Sequence, residues 1–186
     1  MTTEKEKMLA GDLYEPWDDE IHSERIACRR WLQKLNQSLP NSKEWQDAIA
    51  ALLPEAKGEV YLEPPFYCDY GSNIVVGENF YANFGCTILD ANSVEIGDNV
   101  MFAPSVQVYT ATHPLDVKTR ITRGLEYAKP IRIGDNVWVG GGSIICPGVT
   151  IGDNSVIGAG SVVTKDIPGN VVAAGNPCRV IRKIEQ

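Results

Sequence analysis

Histidine is scarce in this chain, with His22 and His113 the only two among 186 residues. Cysteine occurs five times, at Cys28, Cys68, Cys86, Cys146 and Cys178, but as an odd, scattered set with no C-x-x-C pair. That pattern points to neither a disulfide framework nor a zinc cluster, and leaves reduced, mostly buried thiols. Positive charge is in deficit: 17 Lys and Arg against 24 Asp and Glu give a formal net charge of -7. Nucleic-acid binding needs a basic face for phosphate neutralisation, so no nucleic-acid partner is expected, and any anion site must be local. No apolar run approaches bilayer-spanning length, and the start, Met-Thr-Thr-Glu-Lys-Glu-Lys, lacks the apolar stretch of a signal peptide. No membrane partner is expected, and a cytoplasmic location is. G-x-S-x-G, the P-loop and the dinucleotide fingerprint are also missing, which disfavours a serine hydrolase, a nucleotide hydrolase and a Rossmann dehydrogenase.

What is present describes a folded chain. Apolar residues make up 44% and charged residues 22%, the balance of a globular protein rather than a disordered one. The length allows one main core with an appendage.

The dominant feature is a period of six. Ile133, Val139, Ile145, Ile151, Ile157 and Val163 fall on consecutive sixth positions. Four residues after each stands a small or β-branched side chain: Val137, Ser143, Val149, Ser155, Ser161 and Ile167. Glycine directly follows four of the six, as Gly134, Gly140, Gly152 and Gly158. Neither a helix nor a simple strand period fits, because both would put apolar residues where Asp135, Asn136, Asp153 and Asn154 stand. A strand-plus-turn unit does fit, three units closing a triangular coil with the aliphatic side chain inward and glycine relaxing the backbone. The predicted fold is mainly β, a left-handed parallel β-helix. Upstream, Val76, Ala82 and Ile88 continue the period, which slips by two residues at Val94-Glu95 and resumes at Ile96, Phe102 and Val108. About four coils result.

The ladder breaks between Val108 and Ile133. The intervening stretch, running from His113 to Pro130, must project as a lid or subunit-bridging arm. Before the ladder, Asp18 or Asp19 can cap a helix whose Ile21, Cys28, Leu32 and Leu35 share one face. Asn41 with Glu44 resembles a capping box for a second helix bearing Trp45, Ile49 and Leu52 and ending near Pro54. We expect residues 1–57 to form a helical cap over the open end of the solenoid, residues 58–186 to form the β-helix, residues 114–130 its projecting loop, and residues 169–186 a C-terminal segment.

His113 is the first candidate for chemistry. It ends a coil in Thr110-Ala-Thr-His-Pro114, and the proline after it favours an extended backbone. An imidazole titrates near neutral pH, which suits a general base, although a histidine here could equally tie the loop to the coil. His22, in an acidic helix, is expected on the helix surface. Asn83 places an amide one residue after an inward position, able to orient a substrate or donate to an oxyanion, or simply to fill a solenoid turn. Lys165, Arg179, Arg182 and Lys183 form a basic cluster that could hold phosphates or be a solvated tail. Carbonic anhydrases on this scaffold use three histidines, and two cannot supply that site; no metal is expected.

Several further segments carry a resemblance: Met8-Leu-Ala-Gly-Asp-Leu-Tyr14, Cys68-Asp-Tyr-Gly71, Asn79-Phe-Tyr-Ala-Asn-Phe84, Thr110-Ala-Thr-His-Pro114, Ile133-Gly-Asp-Asn-Val-Trp138 and Asn176-Pro177. In that order they resemble the hexapeptide-repeat sugar O-acetyltransferases over nearly the whole chain. The resemblance implies transfer from acetyl-CoA to a sugar hydroxyl by a homotrimer with sites between subunits. It makes His113 the catalytic base and Asn83 the active-site asparagine. It places CoA near Trp138, Gly141, Ala159, Thr164 and Lys165, with Arg179 and Arg182 toward its phosphates, and the sugar acceptor around Asp18, Asp69 and Tyr81. Galactoside enzymes carry a second acidic residue where Ala91 follows Asp90 here, which favours the maltose and glucose branch. The rivals are an acetyltransferase of the same scaffold for a drug or an amino acid, and a non-catalytic assembly module.

Overall fold

A computed structural model describes residues 2–185. Its body is a three-faced parallel β-helix. The first face stacks Val60–Leu62, Phe80–Ala82, Met101–Phe102, Trp138–Val139, Val156–Ile157 and Val171–Ala174, all parallel. The second stacks Tyr67–Cys68, Thr87–Leu89, Gln107–Tyr109, Ile144–Ile145 and Val162–Val163. The third stacks Ile74–Val76, Val94–Ile96, Ile131–Ile133 and Thr150–Ile151, and a single bridge from Ile151 to Ile167 adds the last rung. All six aliphatics of the period are buried. Ser143, Ser155 and Ser161 are buried between them, their hydroxyls donating to the carbonyls of Gly158, Pro168 and Gly158 respectively.

Three sequence expectations need correction. There are five full coils and the first face of a sixth, not about four. The lowest coil escaped because eight residues, not six, separate Cys68 from Val76, and the same corner is enlarged again between Ile88 and Ile96. At the top the coil contracts instead. Ile167 occupies a ladder rung over Ile151 rather than the turn position that the period assigned to it. The third correction concerns glycine. None of Gly134, Gly140, Gly152 and Gly158 has a positive φ; in the Gly-Asp-Asn turns the left-handed residue is the asparagine, at Asn99, Asn136 and Asn154. Glycine is required for clearance, since a Cβ on Gly134 would lie 2.0 Å from Asp153 Oδ1. That carboxylate accepts the Asp135 N–H at 2.9 Å, while the asparagine amides run from coil to coil as a ladder, Asn99 to Asn136 to Asn154.

Three helices precede the coils: the second and third close the lower end, and the first packs beside the loop base, where Met8 clusters with Tyr14 and Ala128. α1 (Glu4–Ala10) was not anticipated, although its signal is a complete capping box, Thr3 with Glu6, and Gly11 at its C-cap. α2 (Asp19–Gln37) is capped by Asp18 and buries Ile21, Cys28, Leu32 and Leu35, the face read from the sequence. α3 (Lys43–Leu52) is capped by Ser42, not Asn41, which takes a left-handed conformation (φ 67°) just before it. The helices satisfy the open backbone of the first coil. Asn36 accepts from Phe66 N–H at 2.8 Å and donates to its carbonyl at 2.9 Å, and Trp45 Nε1 donates to Leu62 O at 3.0 Å. At the opposite end, Arg179–Lys183 pairs antiparallel with Val171–Ala174 and covers that edge. Among the described residues, no helix is long and apolar enough to cross a membrane.

Candidate active site

The enlarged corner between the second and third faces is where the site forms. After Gln107–Tyr109 the chain leaves the coil as Ala111–Thr112, which pairs antiparallel with the returning Tyr127–Ala128. This pairing clamps the base of the projecting loop, with His113 on one side and Glu126 on the other. The loop carries a short helical turn, Lys118–Thr122, and exposes Leu115, Val117 and Ile121. His113 Nδ1 lies 3.9 Å from Glu126 Oε1, and the imidazole is 55% exposed.

Glu126 is fixed from behind. Its backbone exchanges two hydrogen bonds with Tyr14, of 3.0 and 3.2 Å, and the Tyr14 hydroxyl donates to Glu126 Oε2 at 3.2 Å. Tyr14 is buried, and burial together with the neighbouring Glu126 carboxylate raises its hydroxyl above the usual phenol range, so it remains a donor. Asn92 secures this N-terminal segment, its amide donating to the carbonyls of Met8 and Leu9 at 3.0 and 3.1 Å.

In front of Glu126 opens a cleft of about 400 Å³, lined among others by Trp17, His22, Arg25, Arg29 and Asp69. His22 is on the surface of α2 as expected, but that surface is a wall of this cleft. Asp69 pairs with Arg29 at 3.5 Å. Burial nonetheless outweighs the Arg29 and Arg25 charges and raises its carboxyl above the ordinary range. Asp69 is held in turn by Asp90, whose Oδ1 accepts the N–H groups of Asp69 and Tyr70, each at 2.9 Å. Asp90 is fully buried, its Oδ2 has no partner among the described residues, and burial pushes its carboxyl up to about 6.

The remaining predicted residues divide by position. Asn83 lies at the other edge of the second face, where the first face turns into it. Its Oδ1 accepts the Phe84 N–H at 2.8 Å, which leaves its Nδ2 protons uncommitted among the described residues. Gly141 and Ala159 belong to the same corner in higher coils, joined by the Gly160 N–H to the Gly141 carbonyl at 2.8 Å. A Cβ on Gly141 would come 3.1 Å from Pro104 O. Tyr81 and Trp138 share an outward column of the first face, both in register with Met101, and Arg182 caps that column through Val172 and Val156. Arg179 and Arg182 are exposed and have no carboxylate partner among the described residues. Thr164 and Lys165 instead follow Val162–Val163, at the corner from which the His113 loop departs two coils below. Asp18 uses its carboxylate to cap α2, accepting from Glu20 N–H at 3.0 Å, beside the cleft residue Trp17.

One chain therefore carries two candidate half-sites on opposite edges of its second face: His113, Glu126, Asp69, Thr164 and Lys165 at one, Asn83, Gly141 and Ala159 at the other. Sequence reading missed Glu126, Tyr14, Arg25, Arg29 and Trp17. Only the buried, polar-tipped Tyr14 had a signal, inside the Met8–Tyr14 segment.

The stacked six-residue units define a hexapeptide-repeat β-helix with an N-terminal cap. Residues 130–165 match the bacterial transferase hexapeptide family (six repeats), and residues 7–56 match the maltose acetyltransferase hexapeptide capping motif. The fold superposes on a maltose O-acetyltransferase from Clostridium difficile 630 with a TM-score of 0.95 and 54% identity, covering 99% of this chain and 98% of that one. It also superposes on a galactoside acetyltransferase in complex with coenzyme A (TM-score 0.93, 44% identity, 100% and 92% covered). Nodulation protein L of Rhizobium meliloti (strain 1021) is 50% identical over 179 residues, 96% of this chain and 97% of its own. The chain belongs to the hexapeptide-repeat acetyltransferases, the group that holds the maltose and galactoside O-acetyltransferases.

Proposed function

We propose that this chain transfers the acetyl group of acetyl-CoA to a hydroxyl of a small sugar of the maltose or glucose type, with His113 as general base. The observation that carries the reading is the pair of half-sites. The base with its carboxylate lies at one edge of the second face, and the uncommitted Asn83 amide lies at the other. Two neighbouring chains in a homotrimer would join these edges into one cleft, with CoA along the small residues Gly141 and Ala159, past Trp138, Thr164 and Lys165, and its phosphates toward Arg179 and Arg182. Asp69 and Tyr81, with the Asp18 segment, would meet the sugar. The solved relative that holds coenzyme A supports the donor, and the maltose O-acetyltransferase likeness supports the acceptor. Five free thiols fit a cytoplasmic enzyme.

In the transfer, His113 takes the proton from the sugar hydroxyl as the oxygen bonds to the thioester carbonyl carbon. Asn83 Nδ2 donates to the oxyanion that develops there. The C–S bond then breaks, and the imidazolium returns the proton to the departing sulfur. Glu126, 3.9 Å from Nδ1, favours the imidazolium between these steps. No acyl-enzyme is needed, and no part is assigned to a metal.

The test is CoA release from acetyl-CoA with maltose, glucose, a galactoside, chloramphenicol and serine, comparing the native chain with His113→Ala. A loss of roughly a hundred- to ten-thousand-fold in the variant, with CoA binding intact, is expected. Turnover of chloramphenicol or serine alone would move the reading to the drug or amino-acid class, and absence of CoA binding would leave an assembly module.

A further inference from the structure

Trp17 is the most exposed of the aromatic side chains among the described residues, at 72%. A large apolar ring left in water needs a reason, and tryptophan is the side chain with most to gain from a partner laid on its face. Its position is not that of a loose surface residue. The chain on either side is fixed: Pro16 is buried and its carbonyl accepts from Arg25 Nη2, and Asp18 caps α2. The Arg25 guanidinium lies 5.5 Å from the ring centroid and also donates to the Tyr70 hydroxyl at 3.3 Å, so the cation that backs the indole is itself anchored. The His22 ring stands at 6.1 Å, tilted by 46°. Trp17 is thus a braced ring with one side occupied and the rest open.

The open ring borders the cleft that contains Glu126, Asp69 and Arg29. Its rim is aromatic, and its floor carries carboxylates and guanidinium groups that can exchange hydrogen bonds with hydroxyls. A pyranose presents that same division, with C–H groups on one face and hydroxyls around the edge. We propose that Trp17 is the stacking platform for a second sugar ring of the acceptor, the one that does not receive the acetyl group. The reacting hydroxyl belongs at His113, which lies 3.9 Å from Glu126 and does not itself line the cleft, so the ring over Trp17 is the distal one. This assignment rests on the sugar O-acetyltransferase reading given above, and adds to it a preference for disaccharides or glycosides over free monosaccharides.

The experiment compares kcat/KM for maltose with that for glucose, at saturating acetyl-CoA, in the native chain, Trp17→Ala and Trp17→Phe. The thermal midpoint and oligomer mass of each variant serve as folding controls. The maltose-to-glucose ratio should fall on the order of tenfold in Trp17→Ala, with most of the change in KM, and Trp17→Phe should recover part of it because a planar ring remains. An unchanged ratio, or an altered oligomer mass with equal losses on both sugars, would overturn the platform while leaving sugar acetylation standing. If the native chain acetylates neither sugar but turns over chloramphenicol or serine, the parent reading fails and the platform with it.

Discussion

Replacing Glu126 with glutamine isolates the part played by its charge. Glutamine keeps an Oε1 acceptor for the Tyr14 hydroxyl and the backbone pairing with Tyr14, so the loop base should hold its shape. What is lost is one negative charge 3.9 Å from His113 Nδ1. At that separation the attraction for an imidazolium runs from about 1 kcal/mol in water to about 4 kcal/mol in a protein-like dielectric. With the His113 side chain 55% exposed, the lower part of that range applies, roughly 1 to 2.5 kcal/mol, or about five- to seventy-fold in kcat/KM. His113→Ala should cost more, roughly a hundred- to ten-thousand-fold. The assay is continuous detection of the CoA thiol with a chromogenic disulfide, at fixed acetyl-CoA and varied maltose. An unimpaired Glu126→Gln enzyme would refute the electrostatic role. A loss equal to that of His113→Ala would refute the division of labour, because the carboxylate would then be as indispensable as the imidazole.

Further outcomes can be measured on the same protein. The Asp90 carboxyl is raised to about 6 from the ordinary 3.8, so between those values the folded state holds a proton that the unfolded chain has released. Its stabilising contribution is therefore full below about pH 3.8 and is lost as pH rises through about 6, a change of roughly 3 kcal/mol. The urea midpoint of Asp90→Asn relative to native should accordingly rise between pH 4 and pH 7; a flat difference would show that Asp90 does not titrate in this range. Gly134→Ala would drive a Cβ into Asp153 Oδ1 and should lower stability by about 1 to 3 kcal/mol in denaturant unfolding; no loss, or a small gain, would refute the clearance role. Arg179→Ala combined with Arg182→Ala should weaken acetyl-CoA binding about five- to thirty-fold by calorimetry, an effect that fades as salt rises. Salt-independent binding in the double variant and native alike would remove these arginines from the phosphate site.

How far the sequence carried the reading varies along the chain. From Ile133 to Val163 the period is strict, because each coil there has its minimum length and every sixth side chain must point inward. In the lower coils two extra residues at one corner, around Asp90 and Asn92, interrupt the count without interrupting the stack. The backbone absorbs them at the corner, where side chains and not ladder bonds satisfy the polar groups. Contraction near Ile167 hid the top coil in the same way. The helix α3 was placed correctly while its cap was misassigned by one residue, since Asn41 and Ser42 both carry capping side chains and only the backbone angle selects between them.

The sequence by itself determined the repeat, the inward ladder, the face of α2 that is buried, the insertion after Val108 and the prominence of His113. These follow from period and local chemistry, which act over a few residues at a time. Tertiary structure alone decided that Glu126 faces His113, that Tyr14 reaches across more than a hundred residues to fix it, and that Arg25 braces Trp17 at the mouth of the cleft. It also decided that Asn83 and His113 stand on opposite edges of one face. Such meetings depend on how the coils stack and where the N-terminal segment docks, and no spacing along the chain encodes them.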